Sequence, residues 1–169
     1  MTISTENLIN ELIYLTHEHL AFAEGLLLKT DAELNKRLTN ESWSALECLE
    51  HLNLYGNFYL PEIKNRIGTS TTKATTEFKS GWLGNYFAQS MLPKEKLNKM
   101  KAFKSMNPIH SSLSKNTVTV FIDQQKQLFD LLNASRNVNL NKVKTNISIT
   151  RLIKLKLGDT FRFLIYHNK

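Results

Sequence analysis

Residues 41–55 read ESWSALECLEHLNLY, and that stretch decides the fold class. Its apolar residues return at steps of three and four, as a helix with one buried face requires. Ser42, just before Trp43, supplies an N-cap, and Glu41 and Glu47 place negative charge near the helix start. Continued, the pattern predicts a helix over 43–66, with a kink or break near Leu60, because Pro61 has no N–H and its ring crowds the preceding turn. The same stretch raises a chemical question. His51 shares a face with Ser44, Cys48, Tyr55 and Phe58, so a titratable group stands on the apolar side.

Outward from there, residues 6–29 repeat the helical pattern through Leu8, Ile9, Leu12, Ile13, Leu20 and Leu26, with Thr5 as N-cap and Thr30-Asp31 as exit. A third long helix is expected over 114–136, capped by Ser114 and ending at 133–138. The fourth is expected from near Ser148 to the chain end, weakened at Gly158-Asp159, with a second start capped by Asp159 as the alternative. Between 68 and 115 the periodicity is lost, and this segment is read as a long crossover with one short helix over 82–91. Strand-like alternation is confined to TVTVFI, at a helix start. The expectation is therefore one all-α domain over 1–169, a four-helix bundle with a long crossover connection between helices 2 and 3.

Composition fits an ordinary globular protein: 41% hydrophobic and 22% charged residues, with 3 Pro and 6 Gly. Residues 1–20 lack a basic, apolar secretory leader, and no apolar run approaches the roughly 20 residues of a membrane span, so a cytoplasmic protein is expected. The single Cys48 agrees with a reducing compartment. The net charge of +7 comes largely from lysines in 92–104 and 141–156. These read as solvated faces, because neither segment interleaves stacking aromatics or an arginine-rich reading helix. Nucleic acid and membrane are not expected partners. Trp82, Tyr86 and Phe87 form an aromatic cluster that reads either as a homodimer contact or as a lid over the core of one subunit.

His167 follows GDTFRFLIY on the last helix, on a stripe with Thr160, Phe163 and Leu164. A histidine on an apolar face is ordinarily a structural residue with satisfied polar atoms. Two of them on different helices can instead converge in a bundle interior, where metal sites are commonly built. Further donors are His17 and His19, which cannot both face inward, His110 in the crossover, Cys48 one turn from His51, and Asp159 two turns before His167. Each of these also has an ordinary structural or surface reading.

The tryptophan-serine start in ESWSALECLEHLNLY, with a histidine eight residues after the tryptophan, and the aromatic-rich ending LKLGDTFRFLIYHNK resemble the DinB-like superfamily of four-helix-bundle proteins, in particular its small bacterial members. The resemblance covers essentially the whole chain. It implies a divalent metal, zinc or nickel, held by three histidines: one from the second helix and a His-x-x-x-His pair from the fourth. On this sequence His51 is the first ligand and His167 opens the pair. The second member of the pair would fall four residues on, beyond Lys169. Either the chain is cut short of it, which an ending in mid-helix favours, or two histidines, water and a carboxylate hold the ion weakly. The resemblance further implies a thiol S-transferase using a low-molecular-weight thiol such as bacillithiol or mycothiol, an isomerase, or a hydrolase. The substrate would be a small molecule. The contrasting expectation is a non-catalytic helical binding or stress-response protein with structural core histidines.

Overall fold

The computed structural model describes residues 1–93, 101–150 and 152–169. Its elements run β1 (Thr2–Ser4), α1 (Thr5–Leu26), α2 (Asp31–Leu34), α3 (Ala45–Gly68), β2 (Glu77–Lys79), α4 (Trp82–Met91), a 3-10 turn at Lys104–Met106, α5 (Asn116–Ser135), β3 (Lys144–Asn146), β4 (Lys154–Lys156) and α6 (Leu157–His167). The protein is mostly helical, with two small antiparallel sheets. Among the described residues no helix is long and apolar enough to cross a membrane.

The starts of α1, α3 and α5 lie close to the expected positions, but the capping residues differ. Ser4, not Thr5, caps α1 by accepting from the Asn7 N–H. Ser44, not Ser42, caps α3 in a capping box with Glu47, satisfying two backbone N–H groups reciprocally. Ser42 instead closes a turn with Thr39. Lys115, not Ser114, occupies the N-cap position of α5 and makes no side-chain cap bond. α3 runs through Pro61 without a break. Pro61 is exposed, while Tyr59, Leu60 and Ile63 are buried around it, so packing on the opposite face holds the helix together across the missing N–H.

Residues Leu8, Ile9 and Leu12 of α1, Tyr59 and Ile63 of α3, Leu128 and Leu132 of α5, and Phe161 and Ile165 of α6 meet in one buried cluster. A second cluster gathers Ala23, Leu46, Leu49, Val118 and Phe121. The connection between α3 and α5 is long, as expected, and carries β2, α4 and the 3-10 turn.

The all-α expectation is corrected in two places. The first is at the threonine-rich start of the crossover, where β2 pairs with β1 in the register Thr2↔Lys79, Ile3↔Phe78, Ser4↔Glu77, burying Phe78 completely. The second is the expected fourth helix. Its first part is a hairpin, with Lys144↔Lys156, Thr145↔Leu155 and Asn146↔Lys154 in register. Thr145 and Leu155 are buried while their neighbours Lys144, Asn146, Lys154 and Lys156 are exposed or half-buried, the period of two that a half-buried strand requires. α6 starts only at Leu157, whose N–H donates to the Val143 carbonyl. Gly158 then passes so close to Phe78 that a Cβ would lie 2.6 Å from its ring.

Candidate metal centre

The capped start of α3 sets its phase, and His51, Tyr55 and Tyr59 follow at four-residue steps along one face. On α6, Phe163 and His167 do the same. The two faces meet. His51 Nε2 lies 3.2 Å from His167 Nε2, and the Tyr55 ring stands edge-on to both imidazoles at 5.1 and 4.7 Å. Trp43, just before α3, covers the other side of His51 at 4.8 Å.

His51 is oriented from the crossover. Its Nδ1 lies 2.5 Å from the carbonyl oxygen of Met106, to which it donates, so the ring's proton is on Nδ1 and its Nε2 lone pair faces His167. Burial lowers the pKa of His51 below the ordinary histidine value, against the opposing pull of the Met106 carbonyl. His167 is lowered to about 4 by burial and by the neighbouring His51. Both imidazoles are therefore neutral at pH 7, the form that binds a metal ion. Without an ion, His167 donates from Nε2 to His51 Nε2. Its own Nδ1 is buried without a partner among the described residues.

The pair fits two positions of a coordination shell. Two nitrogens bound at zinc-like distances on adjacent tetrahedral positions lie about 3.3 Å apart, and the observed separation is 3.2 Å. Among the described residues, no group of three His, Cys, Asp or Glu side chains converges as a metal site.

The other candidates lie elsewhere. Cys48 is exposed and lines no part of the site. His17 is exposed and packs on the Phe129 edge, and His19 is half-buried with its pKa lowered to about 4 by burial and Lys169. His110 takes a left-handed backbone conformation with φ 65°, donates its N–H to Glu47, and places Nδ1 2.6 Å from Arg37 Nη1. Asp159 neither caps α6 nor reaches His167. Its carboxylate accepts from the Gly81 N–H at 2.8 Å, from Ser80 Oγ, and from the fully buried Arg162. Arg162 also donates to Ser80 Oγ and to Asn85 Oδ1, so this buried network clamps α4 onto α6.

That clamp matters because α4 forms one wall of the space in front of the histidines. A cleft of about 380 Å³ opens there, with both imidazoles in its lining. Tyr55, Tyr59, Phe87, Phe103 and Phe163 make it strongly aromatic. Trp82 lies outside it and is exposed, so the expected aromatic cluster is divided: Tyr86 and Phe87 face the cleft and Trp82 does not. Of the lysine-rich segment 92–104, residues 94–100 lie outside the described residues, as does Arg151 in the second basic segment. Lys101 lines the cleft.

Residues 12–169 match the family model of the DinB superfamily. The chain belongs to the DinB superfamily. In this DinB-superfamily chain the match includes both histidines and every element from the middle of α1 onward. No curated protein and no solved structure matches it. Three features around the candidate site carry no local sequence signal. The Met106 carbonyl has no side-chain signature, the Ser80 and Asn85 partners of Arg162 lie 82 and 77 positions earlier in the chain, and the Ser148 N–H that donates to the Tyr59 hydroxyl lies at the expected start of the fourth helix.

Proposed function

We propose that this chain is a divalent-metal-dependent enzyme of thiol S-transferase or hydrolase type, acting on a small molecule held in the aromatic cleft. The reading takes α1, α3, α5 and α6 as the members of one four-helix-bundle domain, with the crossover bringing α4 to the mouth of the site. The observation that carries it is the 3.2 Å approach of two neutral imidazole nitrogens, one oriented by a backbone carbonyl.

His51 and His167 would hold zinc or nickel. When bound, the ion would lower the pKa of a thiol or water in an open position, which makes a nucleophile available near neutral pH. The chain's own residues orient and enclose. The Met106 carbonyl fixes the His51 ring, Trp43 and Tyr55 restrict its rotation, and the aromatic walls exclude water from the reacting face.

Metal content measured by mass spectrometry, after purification without affinity tag or chelator, tests the reading. Stoichiometric zinc or nickel is expected, lost in His51→Ala and in His167→Ala. A second reading, a non-catalytic helical binding protein with structural histidines, is favoured by the absence of a third converging donor among the described residues. A chain that takes up no metal even on reconstitution would establish that reading instead.

A further inference from the structure

The cleft in front of the histidines has a chemistry of its own. Tyr55 and Tyr59, on successive turns of α3, line one wall with rings 5° from parallel and centroids 6.3 Å apart. Phe163 on α6 and Phe87 on α4 add further ring faces. No carboxylate lines the cleft among the described residues, and Lys101 is the single charged side chain in that lining. Of the lining hydroxyls, that of Ser90 already donates to the Phe87 carbonyl, whereas those of two tyrosines remain free to donate. Tyr55 has no hydrogen-bond partner among the described residues, and Tyr59 accepts from the Ser148 N–H, which leaves its own proton free to be given. The volume of about 380 Å³ lies in the range of small-molecule sites.

We propose that this cleft takes a planar, largely apolar ring compound bearing one hydrogen-bond-accepting or anionic group. The ring lies against the tyrosine and phenylalanine faces, where stacking and burial favour it. The accepting group meets hydroxyl or ammonium donors and, among the described residues, no opposing carboxylate. A polyanionic, heavily hydroxylated thiol finds few partners among the described lining residues, which favour the ring compound. The inference rests on the metal-enzyme reading for what is done to the compound, and not for its binding.

Calorimetric titration of the full chain, with and without added zinc, tests this using 2-naphthoate as probe. One-to-one binding is expected in both states. The cationic 1-naphthylmethylammonium and the polar thiol glutathione are each expected to bind roughly tenfold or more weakly. Tyr86→Ala and Phe103→Ala, at exposed wall positions where the fold tolerates truncation, should each weaken 2-naphthoate by about threefold to tenfold. No binding of 2-naphthoate, binding unchanged in both variants, or tighter binding of glutathione overturns the proposal. Failure of the metal reading is separable: a chain that holds no metal but binds 2-naphthoate loses the enzyme and keeps the cleft, and the reverse result does the opposite.

Discussion

His51 and His167 are 116 positions apart in the chain, and their Nε2 atoms are 3.2 Å apart in the fold. Neither is held by the other alone. The Met106 carbonyl anchors the first, and the second stands on a helix whose inner face carries Phe161, Leu164 and Ile165 in the core.

The depressed pKa values give the metal-free protein a defined acid sensitivity. His167 and His19 titrate at about 4 in the folded chain against 6.5 when unfolded, so between those pH values the unfolded state binds more protons. Their contribution is fully present above pH 6.5 and is lost as the pH falls toward 4. Unfolding free energies from urea titrations should therefore fall over that window, by up to about 1.4 kcal/mol per pH unit for each histidine. His167→Gln should flatten the slope, and an unchanged slope in that variant would contradict the assignment.

Glu47 joins three segments. Its carboxylate accepts from the Ser44 N–H, from the His110 N–H and from Arg37, and these partners overcome the cost of burial to hold its pKa down to about 2. Glu47→Ala removes the capping box and leaves Arg37 without its partner. A loss of about 2–4 kcal/mol is expected in chemical denaturation. In the wild type the carboxylate's contribution is retained above pH 4.5 and lost as the pH falls to about 2.

The α4–α6 clamp should be sensitive to both of its charges. Arg162→Leu leaves Asp159 buried beside Ser80 with its cation gone, and should cost about 3–5 kcal/mol. Gly84→Ala acts sterically at the same place, since a Cβ there would lie 2.5 Å from Asp159 Cβ and Cγ. A loss of about 1–3 kcal/mol is expected, accompanied by weaker 2-naphthoate binding as α4 shifts. Equal binding by a folded Gly84→Ala protein would show that α4 does not shape the cleft.

Pro61 interrupts the hydrogen-bond ladder of an otherwise continuous helix from an exposed position. Pro61→Ala restores an N–H without touching the core. It should raise stability by about 1–3 kcal/mol, measured by thermal or urea unfolding. Destabilisation would mean that the proline has a packing role.

Helices were legible where their information is local. The three-and-four spacing of leucines in α1 and α3 is written within a few residues of where it acts, whereas the cap of α3, expected at Ser42, lies at Ser44. The same spacing placed His51 and His167 each on an apolar stripe. It also explains the error at 148–156. Ile149, Leu152, Ile153 and Leu155 can be fitted to a helix, but Leu152 is fully exposed in the fold and Leu155 is buried on a strand. What selects the hairpin is pairing with Lys144–Asn146, which a local pattern does not contain.

By itself, then, the sequence determined the helical character of the chain, the extent of α1, α3 and α5 to within a few residues, and the two histidines that face inward, because periodicity and capping depend on neighbours three or four positions away. Tertiary structure alone decided the strand pairs, the partner of Asp159 and the aromatic cleft. Each depends on groups far apart in the chain: Thr2 meets Lys79, Ser80 meets Asp159, and His51 meets His167. Such meetings follow from how whole elements pack, a constraint that no single segment carries.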